Sequence, residues 1–314
     1  MNGKKEVSPR DVVIFRTHFW DEFARRQFDR LRRQTEGIDL FVLVDETGGP
    51  VTGIQHDHVV RVTEQAVIAL GLPRAGEGNL LWFNGDYPLY FFMTLFPCYD
   101  HYVQLEYDVL VTANLIEMLR RMRTEEIDFV GLSKGEEPST WPWRGSCAGV
   151  YGPHYRHQLI CMSAFSRRAL AHLFGKRREH ARMRRSGHIS CWPMCEAFIA
   201  TELANGKFRS AELSEFGDTT AYDHWPPYLE ADIEKLPSDG FIHPVLDEPR
   251  YISSMFKYRV GLKGYLAPDS LLHRKLRRLP APLYLQTLAT SFAEKVARTL
   301  RRTKAPRSSP GRAA

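Results

Sequence analysis

The stretch His101-Tyr-Val-Gln-Leu-Glu-Tyr-Asp108 carries an extended, largely apolar run into two carboxylates, Glu106 and Asp108. In a strand, residues i and i+2 point to the same side, so both carboxylates are aimed together where the strand runs out. Such a pair suits Mg2+ or Mn2+, and that metal can hold a diphosphate, which points to a nucleotide-activated substrate. The spacing alone is common, since Glu230-Ala-Asp232 repeats it in a Pro-rich stretch read as loop. The surroundings of the pair therefore decide its meaning.

Upstream, Asp11-Val-Val-Ile-Phe15 is a short apolar run, followed by a charge-rich helical pattern over 21–34 and a second apolar run, Ile38-Asp-Leu-Phe-Val-Leu-Val44. This strand, helix, strand order opens an α/β domain, and runs apolar on both faces suit a parallel sheet covered on both sides by helices. Thr47-Gly-Gly-Pro50 breaks the chain, and an aromatic stretch, helical after Asp86, leads into the strand ending at Glu106. Beyond it the pattern predicts a helix over 114–123, a strand over 127–131, a strand over 158–162, a helix over 166–174 and a helix over 196–204.

Residues 133–153 are rich in Gly, Pro, Ser and Trp and too long for a simple connection, so they form a candidate binding loop. Its Trp141, Trp143 and Tyr151 offer flat faces suited to stacking on an acceptor sugar, or to anchoring the loop in the core. The Arg-rich run over 176–185 reads as a solvated helix or loop.

The chain has 314 residues and the composition of an ordinary globular protein. No stretch reaches the roughly 18–20 apolar residues that span a bilayer, and the polar N-terminus lacks a secretion pattern. A cytoplasmic protein is expected. Its five cysteines, an odd number, argue against a disulfide framework. Cys191 and Cys195 near His188 lack the second ligand pair of a structural zinc site.

The net charge of +6 is unevenly placed: from His273 onward 11 Lys/Arg face one acid, leaving −4 on the rest. From Leu283, the apolar residues Leu285, Leu288, Phe292, Val296 and Leu300 alternate with basic ones, an amphipathic helix that docks on the domain or lies on an anionic membrane surface. The expected division is a flexible stretch over 1–10, a domain over 11–270 and a basic helical extension with a disordered tail over 271–314.

The order of these pieces resembles the GT-A fold of nucleotide-sugar-dependent glycosyltransferases, over most of residues 11–245. The resemblance lies in Val12-Val-Ile-Phe15, in the second strand ending at Asp45, and in Gln104-Leu-Glu-Tyr-Asp-Val109, which looks like a Glu-x-Asp variant of the family's Asp-x-Asp. It continues in Cys161-Met-Ser-Ala-Phe-Ser-Arg-Arg-Ala-Leu170, Cys195-Glu196 and Phe241-Ile-His243. It implies a Rossmann-related, mostly parallel α/β sheet flanked by helices. It also implies a nucleotide-sugar donor contacted by Phe15, Arg16, Thr17, Asp45, Asp86 and Glu106, and Mn2+ or Mg2+ on Glu106, Asp108 and His243. In an inverting transfer the catalytic base would be Glu196, with Glu202 second. The acceptor would be a glycan, a lipid-linked saccharide or a protein. Some families of this fold dispense with metal and hold the diphosphate with basic side chains, for which Arg16 or the Arg167-Arg168 pair are candidates.

Two other classes compete. Gln55-His56-Asp57-His58 with Asp45 and Glu46 suggests a metal-dependent hydrolase. The basic C-terminus suggests a non-catalytic nucleic-acid or membrane binder, yet such tails hold phosphate nonspecifically and commonly accompany enzymes, so no specific nucleic acid is expected.

Overall fold

The computed structural model describes residues 10–76, 79–136, 141–259, 278–283, 285–286, 289–290 and 293. The chain divides into two compact units, one of residues 1–224 with 236–243, the other of residues 225–235 with 244–314.

The first unit is built on a seven-stranded sheet. Its strands are β1 (Asp11–Thr17), β2 (Asp39–Asp45), β3 (Val59–Val62), β4 (His101–Glu106), β6 (Phe129–Glu136), β7 (Arg156–Ser166) and β8 (Ser210–Glu212). Their order is β3-β2-β1-β4-β7-β6-β8. All neighbours are parallel except at β7, which runs antiparallel to both β4 and β6. This is the mixed, mostly parallel α/β sheet that the apolar runs imply. A short antiparallel pair, β5 (Leu110–Val111) with β10 (Phe241–Ile242), stands beyond β4.

Alternation along β1 shows why its run is apolar throughout. Val12 and Ile14 enter one core cluster, Val13 and Phe15 the other, as expected when both faces are covered. On the first face lie α4 (Tyr87–Leu95), α7 (Arg167–Arg185) and α8 (Cys195–Asn205), contributing Tyr90, Leu170 and Phe198. On the second lie α1 (Glu22–Gln34) and α5 (Leu115–Thr124), contributing Phe28 and Met118. Helix starts follow local chemistry. Asp21 accepts from the Ala24 amide at 3.0 Å, Asn114 from Glu117 at 3.0 Å and Ser166 from Ala169 at 3.2 Å, each satisfying an amide that the first turn leaves open. Three short helices complete this unit: α2 (Glu64–Ala69), α3 (Leu80–Phe83) and α6 (Ala148–Tyr151).

The second unit contains the parallel pair β9 (Tyr228–Leu229) with β11 (Val245–Leu246) and α9 (Glu248–Arg259), around Leu246, Tyr251, Ile252 and Met255. The basic amphipathic helix and tail expected after Leu283 lie largely outside the described residues. Among the described residues, no helix is long and apolar enough to cross a membrane.

Candidate active site

Parallel strands end together, so β1, β2 and β4 bring Arg16, Thr17, Asp45 and Glu106 to one edge of the sheet. Register sets Arg16 beside Glu106, with Arg16 Nη1 3.8 Å from the Glu106 carboxylate and 2.9 Å from Gln104 Oε1. Because β7 is reversed, its Met162 pairs with Leu105, and Cys161 falls next to Glu106. The turn after β4 holds Asp108. The β5–β10 pair then returns the late segment to the same place, and His243 Nε2 lies 3.7 Å from Asp108 Oδ1.

Two independent features fit this cluster to a divalent cation. Asp108 Oδ1 is buried and has no hydrogen-bond partner, which is costly unless something else fills its lone pairs. His243 Nδ1 donates to the Asp223 carbonyl at 2.8 Å, which leaves Nε2 unprotonated and aimed inward, the arrangement by which proteins orient a metal-binding imidazole. Among the described residues, one atom each from Glu106, Cys161 and His243 lie within 4.8 Å of one another. The oxygen and imidazole donors suit Mn2+ or Mg2+.

Glu196 stands in the first turn of α8, near enough to Glu106 for the two charges to act on each other. Burial pushes its carboxyl up to about 7; the charge of Glu106 adds to the effect, while the Trp141 indole N–H and Lys134 oppose it. Burial likewise pushes Asp108 up to about 7. Glu106 is raised by burial and by Asp108, against Arg16 and His243. His243 is lowered, chiefly by burial. Lys134, at the end of β6, pairs with Asp223 at 3.0 Å. Spacing gave no sign of Cys161, Lys134 or Asp223, because each reaches the site only through strand pairing or a distant loop. The neighbourhood of Cys161 in the quoted 161–170 segment was the available hint.

Several expectations are corrected. Asp86 does not face a donor: it is fully buried, and both its oxygens are taken by Arg177, at 2.6 and 3.2 Å. The Arg-rich run is the helix α7, and its Arg177 is no solvated residue, being enclosed with its guanidinium over the Phe198 ring at 3.7 Å. Glu202 is buried against the Tyr151 hydroxyl at 2.9 Å and His180 at 3.5 Å, which ties it to the core. The three loop aromatics anchor rather than lie open. Trp141 is buried against His157 and Tyr155, Trp143 packs on Trp82 and Phe83, and Tyr151 is fixed by Glu202. Arg167 and Arg168 sit at the opposite sheet edge, on Asp100 and Asp128. Asp45 makes the turn expected of it, accepting from the Thr47 amide at 2.8 Å and hydroxyl at 2.6 Å. The hydrolase cluster is not assembled: His56 bonds the Leu40 carbonyl, His58 stacks on Phe41, and Asp57 is exposed.

No protein-family model and no curated protein matches the chain. Solved structures similar to it include a glycosyltransferase involved in glycosylation of the major capsid of PBCV-1, at 12% identity over 75% of this chain and 92% of that one, TM-score 0.36. Mouse xyloside xylosyltransferase 1, in its apo form, is similar at 10% identity over 74% and 97%, TM-score 0.40. Core-mannan synthase A from Aspergillus fumigatus, in an Mn/GDP form, is similar at 10% over 69% and 76%, TM-score 0.40. Likenesses this loose decide nothing about the reaction, which is argued from this chain's own residues.

Proposed function

We propose that the protein is a glycosyltransferase that moves a sugar from a nucleoside-diphosphate donor to a hydroxyl acceptor with inversion. The observation that carries this reading is the convergence, at one sheet edge, of a metal-suited group on β4 with a separate carboxylate, Glu196, held near neutrality. A carboxyl raised to about 7 is matched to taking a proton from an alcohol near neutral pH. In this reading Glu196 removes the acceptor's hydroxyl proton as that oxygen attacks the anomeric carbon, and the nucleoside diphosphate leaves from the opposite face. The Trp141 N–H acts on the Glu196 carboxyl against the effect of burial. Arg16 offers a fixed cation beside Glu106, where the diphosphate would lie. Thr17 and Asp45 stand at the same edge and are the candidates for contact with the nucleoside, whereas Phe15, expected there too, is buried in the core against Trp20 and Phe28.

Glu106, Asp108 and His243 would hold Mg2+ or Mn2+, which when bound supplies Lewis-acid stabilisation of the leaving diphosphate. A peripheral contact of the basic C-terminal segment with an anionic membrane would suit an acceptor in cell-envelope or polysaccharide synthesis.

The test is binding and thermal shift with UDP, GDP and their sugars, with and without Mn2+, on the wild type and Asp108→Ala. Metal-dependent stabilisation by one nucleotide, lost in the variant, supports the reading and names the donor class. Stabilisation indifferent to metal and variant moves the diphosphate to Arg16, and no stabilisation by any nucleotide removes the transferase reading.

A further inference from the structure

The group around His243 contains one member that a site for hard cations has no need of. Cys161 enters from β7, and its sulfur lies within 4.8 Å of both the Glu106 oxygen and the His243 nitrogen. Three atoms bonded to one ion at about 2.0–2.3 Å lie at most roughly 3.8 Å from one another, so closure by about 1 Å would put all three on one ion. The position is fixed by backbone and not by a flexible loop. Met162, the next residue, is held in the β4–β7 ladder, and its amide donates to the buried Tyr222 hydroxyl at 2.5 Å. Asp108, whose Oδ1 has no partner, stands 3.7 Å from the same imidazole and completes a mixed set of two carboxylates, one imidazole and one thiol.

We propose that Cys161 is a thiolate ligand of the divalent cation held by Glu106, Asp108 and His243, and that it biases this site away from Mg2+ toward ions that accept sulfur. Mg2+ keeps to oxygen and near-octahedral water-rich shells, whereas Zn2+, Co2+ and Cd2+ gain strongly from a thiolate and Mn2+ tolerates one. The inference deepens the transferase reading, and rests on it for the use of the ion but not for its binding.

The experiment titrates the full chain with Co2+, Cd2+ and Mg2+, following the sulfur-to-metal charge-transfer absorption and the affinities, in the wild type, Cys161→Ser and Cys98→Ser. Cys98 is exposed and serves as the control for adventitious thiol binding. The wild type and Cys98→Ser are expected to show the band with Co2+ and Cd2+. Cys161→Ser should lose it, with Cd2+ weakened by at least the roughly 10- to 100-fold that loss of an outer-shell partner costs. Mg2+ affinity should hardly change, which also shows that the variant folds. A band that persists in Cys161→Ser, a wild type without a band, or Cd2+ and Mg2+ weakened together would overturn the proposal. UDP and GDP binding, measured on the same samples, separates the two readings. Nucleotide binding without the band leaves the transferase and removes the thiolate, and the band without nucleotide binding does the reverse.

Discussion

Two groups of charge lie in the same unit and are treated in opposite ways. Asp86 and Arg177 are wholly enclosed, yet every demand is met: two carboxylate contacts, a third bond from Arg177 to the Pro193 carbonyl at 2.9 Å, and aromatic rings on the guanidinium. At the sheet edge, Glu106, Asp108 and Glu196 are drawn together, their carboxyls are raised, and Asp108 Oδ1 has no hydrogen-bond partner. Satisfied charge holds a fold in place, whereas charge left wanting is available to a ligand or a proton. From sequence both groups look alike, since each is an acid in an aromatic neighbourhood.

The sharpest break in this comparison is Glu196→Gln. Transfer should fall by about 10^2- to 10^4-fold while nucleotide binding stays at the wild-type level; unchanged turnover would remove Glu196 from the reaction. Next is Asp86→Ala, which strands Arg177 in the core and should cost about 3–5 kcal/mol in denaturant unfolding. A cost under about 1 kcal/mol would mean that the pair is solvated, as exposed pairs are.

The same Glu196→Gln protein, measured without metal, should be more stable than the wild type at alkaline pH. The folded carboxyl titrates near 7 and the unfolded one near 4.3, so Glu196 contributes stability that is fully present below about pH 4 and is lost as pH rises through 7. Gln stays neutral throughout. Its gain, on the order of 3–4 kcal/mol, should therefore be absent at pH 4, grow between, and be complete at pH 8. A flat difference across that range would show that Glu196 is not raised. The smallest effect is Trp141→Phe: loss of the N–H donor should move the acid limb of the pH–rate profile upward by about one unit with modest loss of maximal rate. An unmoved limb would leave Trp141 as packing alone.

Much of the scaffold was legible because it is local. The apolar runs of β1 and β2, the caps Asp21 and Asn114, and the helix start at Cys195–Glu196 are written within a few residues each. The strand end at Glu106 was legible for the same reason. Arg177 was not, because a run of arginines looks solvated until the packing of α7 against Phe198 is known. Cys161 reads from sequence only as part of a strand, and Lys134 and Asp223 carry no signal. Their roles depend on the reversed direction of β7 and on a late segment returning to β5. The loop aromatics were ambiguous by nature, since the same flat faces serve core and ligand.

That reversal of β7 has a further consequence. Because β6 runs with the parallel strands and β7 against them, the segment joining them leaves from and returns to the edge that carries Arg16, Glu106 and Asp108. Both its ends are stitched into the sheet, and its described part is tied to the core through Trp141, Cys147 and Tyr151, so a change of length that spares those three side chains rethreads no strand.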